Sequence, residues 1–117
     1  MITLAPGVAI YLATIPTDMR KGFDGLVQVV AERVRKNVLE GGLYVFFNRR
    51  RNRVKLLWWQ EGGLCIWYQR LERGTFELPK VARDAQSVVL TPTELSLILG
   101  GIELASVRQR KRYRRTA

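Results

Sequence analysis

The sequence predicts a single α+β domain, in which an antiparallel β-meander sheet of about five strands packs with one amphipathic helix and a short C-terminal helix. Three observations predict it. The chain has 117 residues, which is the size of one domain with one core. Short runs rich in β-branched and aromatic residues alternate with glycine-containing turns. Helical patterning occurs in two segments. We place the domain at residues 1–107 and expect a basic, disordered tail at residues 108–117.

The first elements are a strand and the longer helix. Residues 8–13, VAIYLA, are typical of a short strand. From about Gly22 to Lys36 the apolar residues recur at steps of three and four, which indicates one face of an amphipathic helix. They are Phe23, Leu26, Val27, Val30 and Val34. Basic residues end this segment, where cations complement the helix dipole.

Three β-rich runs follow at residues 43–47, 54–59 and 64–70. Gly62 and Gly63 suit the positive φ angles of a tight hairpin turn, so we expect the last two runs to pair about that point. The register then sets Trp58 opposite Trp67, Leu57 opposite Tyr68 and Lys55 opposite Arg70. Both faces of these strands are apolar. The longer helix should cover one face. The other face should be covered by the remaining strands, by the second helix or by a second subunit.

The three tryptophans admit two interpretations. Aromatic residues among basic ones can stack on the bases of single-stranded nucleic acid. Neighbouring strand residues point to opposite faces, however, so Trp58 and Trp59 cannot share one stacking surface. A role in the core or in a dimer interface is therefore favoured.

Two further strands and the short helix complete the domain. We expect strands at residues 75–79, ended by Pro79, and at residues 87–91. Thr91, Pro92 and Glu94 then have the spacing of a capping box with proline at the first helical position. The helix that they begin should stop at Gly100 and Gly101.

The charge balance points to a polyanionic partner. Twenty Lys and Arg residues against ten Asp and Glu residues give a formal net charge of +10, and the sequence pI is about 10.7. Nucleic acid is the first expectation and an anionic membrane surface the second. No apolar run reaches transmembrane length, and the N-terminus lacks the basic region of a signal peptide. We expect a cytoplasmic protein without a membrane partner.

The composition also limits the chemistry. Cys65 is the single cysteine and histidine is absent, which excludes an intramolecular disulfide, the usual zinc sites and a histidine base. The acidic residues are scattered. Asp18 and Asp24 are the closest candidates for a metal-dependent nuclease, but turn or helix-start roles are favoured for both. We therefore expect no enzyme activity, no metal and no cofactor.

The most informative feature is the cluster Arg49, Arg50, Arg51, Arg53 and Lys55 at the tip of an apolar hairpin. A β-ribbon of this kind can enter a DNA groove. We predict that these five residues and Arg70 contact DNA phosphates, with Arg20 and Lys21 as a second patch. The alternative is a solvated tip that prevents aggregation, but one or two charges suffice for that purpose.

Four segments together resemble a known family: TDMRKGFDGL (17–26), VFFNRRRNRVKLLWW (45–59), YQRLERGTFELP (68–79) and LTPTELSLILGGIE (90–103). They are similar to the TnpB-type accessory protein, the product of the second open reading frame, of insertion sequences of the IS-sixty-six type. The resemblance implies an accessory role in DNA transposition in bacteria, without strand-transfer chemistry. It also implies two partners, the separate transposase of the element and its other small protein.

This sequence departs from the family pattern at two places. Gln60 stands where relatives often have an acid, and the basic tail extends past the point where many relatives end. The predicted function is a non-catalytic transposition factor associated with the nucleoid, binding element ends or non-specific DNA through the basic hairpin, with a homodimer possible. The alternative is a subunit that docks on the transposase without contacting DNA.

Overall fold

A computed structural model describes residues 7–101, which form a five-stranded sheet flanked by two helices. The strands are β1 (Ile10–Ala13), β2 (Leu43–Phe47), β3 (Arg53–Gln60), β4 (Gly63–Arg70) and β5 (Ser87–Leu90), in the spatial order β4-β3-β2-β1-β5. The helices are α1 (Phe23–Val29) and α2 (Pro92–Leu99). This is one compact α+β domain, as the sequence predicts. The predicted tail at residues 108–117 lies outside the described residues.

The sheet is mixed rather than wholly antiparallel. The pairs β2–β3, β3–β4 and β1–β5 are antiparallel, but β1 and β2 run parallel with Tyr11 opposite Tyr44. Parallel neighbours need a crossover connection, and α1 lies within it. The helix is followed by one π-helical segment at Val30–Val34 and one 3₁₀ turn at Val38–Glu40. The meander prediction therefore holds for β2, β3 and β4 alone.

Each face of the sheet is covered by one helix. The α1 side buries a cluster that includes Leu26, Val30, Tyr44 and Phe46. The opposite side buries Leu12, Val45 and Leu56 against Leu95 and Ile98 of α2. The second helix thus covers the second face of the middle strands. The sequence had left this face to the remaining strands, the second helix or a second subunit. Trp58 and Trp67 pack against this second cluster, in agreement with a core role.

The predicted register of the β3–β4 hairpin is wrong by two residues. The turn consists of Glu61 and Gly62, with φ of 47° and 81°, and Gly63 is the first residue of β4. Trp58 therefore lies opposite Cys65 and Lys55 opposite Tyr68. A non-glycine residue rarely has positive φ, which is why the two adjacent glycines suggested a later turn.

The predicted strand at residues 75–79 is also wrong. These residues form no strand, and Phe76 is held instead by a hydrogen bond from its amide to the Arg51 carbonyl (2.7 Å) and by burial. Its ring packs edge-on against Phe47, with ring centroids 5.3 Å apart. The segment is therefore held by the burial of one aromatic residue and by one hydrogen bond, rather than by pairing as a strand.

The start of α2 agrees with the sequence in detail. The Thr91 hydroxyl accepts a hydrogen bond from the Glu94 amide (3.1 Å), and the Glu94 carboxylate accepts one from the Thr91 amide (3.0 Å). Pro92 occupies the first helical position. Such a cap satisfies amides that have no intrahelical partner. Within residues 7–101, no helix combines the length and apolar character needed to cross a membrane.

Candidate nucleic-acid interface

The basic turn, which we define as residues 48–52, connects β2 to β3 and is fixed by asparagine. The Asn48 side-chain oxygen accepts hydrogen bonds from the amides of Asn52 and Arg53, both at 3.0 Å. Its side-chain nitrogen donates to the Asn52 side-chain oxygen at 2.6 Å. The Arg51 amide donates to the Asn48 carbonyl (3.0 Å). An asparagine that bonds to nearby backbone in this way defines a turn, so these hydrogen bonds hold the tip in this conformation.

The arginine side chains of the turn face solvent. Arg49, Arg50 and Arg51 are exposed. The ion pairs formed among residues 7–101 are Arg20–Asp18 and Arg70–Glu72, so the turn arginines have no carboxylate partner in that part of the chain. Arg51 has φ of 56°, a conformation that costs a non-glycine residue about 1–2 kcal/mol. Local backbone preference therefore does not explain an arginine at this position.

Two neighbouring segments support the turn from outside the hairpin. The Leu71 amide donates to the Asn52 carbonyl (2.8 Å), just as the Phe76 amide donates to Arg51. On the other side, the Thr17 amide donates to the Phe47 carbonyl (2.8 Å) and Thr17 is buried. The three arginines thus stand on a turn that is held by both flanking loops.

Lys55 is not part of the exposed charge. It is 8% exposed, and its ammonium group donates to the backbone carbonyls of Met19 (2.7 Å) and Lys21 (2.8 Å). The same nitrogen lies 4.7 Å from the centroid of the Tyr68 ring, a cation–π distance. The sequence prediction that Lys55 contacts phosphate is therefore corrected, because a buried ammonium with these partners fixes the 19–21 segment to the sheet.

Arg53 and Arg70 are the like-charged pair that lies across the hairpin, where the sequence had predicted Lys55 and Arg70. Such a pair destabilises a ladder unless its charge is compensated. Arg53 donates to the Tyr68 hydroxyl (3.0 Å). Arg70 donates twice to Glu72, at 3.0 and 2.7 Å. Each guanidinium therefore has an acceptor, and Arg70 contributes less free charge than the turn arginines do.

Arg20 of the second predicted patch is also paired. Its guanidinium binds both carboxylate oxygens of Asp18, at 2.8–3.1 Å, and its amide donates to the same carboxylate (2.9 Å). The side-chain hydrogen bond from Arg20 is the main reason that the pKa of Asp18 falls from 3.8 to about 2. Asp18 is thus a turn residue, as favoured above. Lys21 is exposed.

Two open grooves are lined by residues of both predicted basic patches. A groove of about 530 Å³ separates Pro16–Met19 from the basic turn. A smaller one of about 220 Å³ lies on the other side of Asp18. The first is lined by Pro16, Thr17, Asp18, Met19, Asn48, Arg49, Arg50 and Arg53, and the second by residues that include Lys21 and Arg33. The sequence missed Arg33, because its position near the helix end suggested only a dipole role.

The geometry lends no support to a two-metal site at the described residues. Asp18 is engaged by Arg20, and Asp24 is an exposed residue in the first turn of α1. Residues 7–101 contain no group of three or more Asp, Glu, Cys or His residues that could hold a metal ion. A two-metal mechanism requires converging carboxylates.

Comparison with known proteins places the chain in one family. A family model described as "IS66 Orf2 like protein" matches residues 8–109. Two proteins of Sinorhizobium fredii strain NGR234 are similar over nearly their whole length. The uncharacterized protein y4hO is 35% identical over 88% of each chain. The uncharacterized protein y4jC is 31% identical over 94% of this chain and 92% of its own. No solved structure matches.

The match spans β1 to α2, including the basic turn and the Asp18–Lys21 loop. This family suggests an accessory role in transposition, and its members are generally non-catalytic. The resemblance found from sequence segments is confirmed by the family match, and the chain belongs to the IS66 Orf2-like proteins.

Proposed function

We propose that this protein is a non-catalytic accessory factor of transposition that binds the DNA phosphate backbone through its basic turn. The observation that carries the proposal is the set of three adjacent exposed arginines, which have no carboxylate partner among residues 7–101. Arginine at a fixed position suits phosphate, because its planar guanidinium donates two parallel hydrogen bonds.

The surrounding residues support binding to a backbone rather than to a single small anion. Arg53 lines the larger groove together with Arg49 and Arg50, and Lys21 and Arg33 line the neighbouring one. Cations thus lie on both sides of Asp18, and Lys55 ties the segment that carries Lys21 to β3. Contacts from several cations to phosphates position a protein on DNA without reading sequence.

The proposal predicts a steep salt dependence of DNA affinity. If about five phosphates are neutralised, log K should fall against log salt with a slope of roughly −4.5. Fluorescence anisotropy with a labelled duplex, repeated at several salt concentrations between roughly 50 and 200 mM, gives the affinity at each concentration and hence this slope. Absence of binding even at the lowest salt would remove the DNA half of the proposal.

A matched pair of double variants tests where the DNA binds. Arg49→Ala with Arg50→Ala should reduce the slope by about 2 and leave the fold intact, because both side chains are exposed. The control removes two exposed cations elsewhere, Arg35→Asn with Lys36→Ala, with asparagine chosen because Arg35 has φ of 60°. Equal loss in both variants would indicate non-localised attraction by net charge and contradict a site at the turn.

The same variants separate DNA binding from docking on the transposase. Co-purification with the transposase of the element after nuclease treatment reports a protein contact. One outcome is that the variant with Arg49→Ala and Arg50→Ala no longer co-purifies with the transposase while its DNA affinity equals that of the control. In that outcome the turn binds protein, and the proposal that the turn binds DNA is wrong.

A further inference from the structure

The two edge strands of the sheet differ in their protection. β5 has four residues and leads directly into α2. β4 has eight residues and pairs with β3 on one side. On its other side, the described part of the chain supplies no main-chain hydrogen bond to any residue of β4. An edge of this length is a ready template for another strand.

The β4 edge also lacks the usual features that prevent pairing. Proteins protect long edges with charged residues, proline or bulges. Residues 63–69 contain no charged residue and no proline, and the pairing with β3 runs without a bulge from Gly63 to Arg70. Leu64, Ile66 and Trp67 are each half-buried on this edge. In a chain of net charge +10, this stretch is a surface that two copies can bring together without repulsion.

The two-residue turn at Glu61–Gly62 determines which backbone groups are available. Both turn residues have positive φ, as in the type I′ hairpin, so Gln60 and Gly63 form its closing hydrogen-bonded pair. Hydrogen-bonded and non-hydrogen-bonded pairs then alternate. Residues 64, 66, 68 and 70 therefore direct their amides and carbonyls away from β3.

We propose that β4 pairs antiparallel with β4 of a second copy of this chain, about a twofold axis at Trp67. In this register Ile66 lies opposite Tyr68 of the other copy, and Arg70 lies opposite Leu64. The four hydrogen-bonded pairs supply about eight main-chain hydrogen bonds. The two tryptophans face each other as an aromatic cross-strand pair, which favours association.

A second copy is the occupant because the edge complements itself. The single charged residue of the strand, Arg70, is placed opposite an apolar residue rather than opposite its own equivalent. An isologous contact of this kind closes after two subunits. The result is a continuous ten-stranded sheet in which the two basic turns lie at opposite ends of the strands. The inference does not depend on DNA binding.

Sedimentation and one proline variant test the dimer. The wild-type chain should sediment at twice its mass of 13.5 kDa, with a concentration-dependent monomer fraction. Ile66→Pro removes an outward amide and leaves the β3 ladder intact, so it should be monomeric with an unchanged far-ultraviolet circular dichroism spectrum. The control Val89→Lys alters the 67%-exposed residue of the other edge and should stay dimeric. A monomeric wild type, or a folded Ile66→Pro dimer, overturns the proposal.

Disulfide trapping tests the register and does not require the proline variant to fold. Gln69 lies opposite Cys65 of the second copy, so Gln69→Cys should form a covalent dimer under mild oxidation, with two disulfides. Residues 65 and 65, or 69 and 69, lie about 13 Å apart in this register, beyond disulfide reach. The wild type and the double variant Gln69→Cys, Cys65→Ser should therefore not cross-link. Equal cross-linking in either of them contradicts the register.

Discussion

The two turns at the ends of β3 differ in almost every respect that matters for function. The basic turn is held by the Asn48 side chain and by flanking loops on both sides. The turn at Glu61–Gly62 has two residues, both exposed, and one negative charge. Both turns contain a non-glycine residue with positive φ, Arg51 and Glu61. The comparison teaches that positive charge is concentrated at the end of the strand where the backbone has external support.

That support has a physical purpose. A turn backbone that is fixed before binding loses less loop entropy when its arginines contact phosphate. The minimal turn needs no such order, since it only reverses the chain. Substitutions that remove this support, or that remove the difference between the two turns, should have measurable effects, and the largest is expected at Lys55.

Replacing Lys55 should have the largest effect. Lys55→Met keeps the length of the side chain but leaves the carbonyls of Met19 and Lys21 without their buried donor. We expect the free energy of unfolding to fall by about 3 kcal/mol, measured by urea denaturation. Lys80→Met, at an exposed position, is the control and should change stability by less than about 0.5 kcal/mol. Equal stability of both variants would mean that Lys55 does not tie the 19–21 segment to the sheet.

Removing the asparagine should weaken one turn and spare the other. Asn48→Ala deletes three hydrogen bonds of the basic turn, and we expect a loss of about 2 kcal/mol in unfolding free energy. DNA affinity should fall as well, because the arginines lose their fixed positions. Gln60→Ala at the other turn removes one exposed bond from Trp58 and should cost less than about 0.5 kcal/mol. Similar costs at the two turns would contradict the contrast between them.

Glycine at position 51 should separate stability from binding. Arg51→Gly relieves the left-handed conformation of the arginine, and we expect stability to be unchanged or to rise by up to about 1 kcal/mol. DNA affinity should decrease and the salt slope should become shallower by about 0.9. Glu61→Gly, at φ of 47°, is the matched change at the other turn and should not weaken DNA binding. If the Arg51→Gly variant binds DNA as the wild type does, Arg51 is excluded from the interface.

The Asp18 carboxylate should give the smallest effect. Its pKa of about 2 lies below the usual value of 3.8 because Arg20 donates hydrogen bonds to the charged form. The pairing therefore stabilises the fold above about pH 4, and this contribution is lost as pH falls through about 2. A carbon-detected NMR titration of Asp18 measures the midpoint directly. Asp18→Asn frees Arg20 and should raise DNA affinity slightly, and a midpoint near 4 in the wild type would disprove the pairing.

The sequence by itself determined the features that depend on local physics. The capping box at Thr91, the apolar period of α1 and the pairing of β2 with β3 follow from short-range geometry. The net charge and the exposed position of Arg49 to Arg51 could also be read from the sequence, because a run of arginines between apolar strands has to form a turn. The segments that indicated the family carried enough specific residues for the match to be confirmed.

The tertiary structure decided what depends on contacts between distant segments. The sequence does not show that β1 runs parallel to β2, because the crossover geometry sets this direction. Glu61 in the turn shifts the register by two residues, since a tight hairpin can accept one non-glycine residue at positive φ. Above all, Lys55 is buried rather than exposed. Its charge is stabilised by carbonyls 34 and 36 positions away in the chain, a compensation that no local pattern around a lysine can reveal.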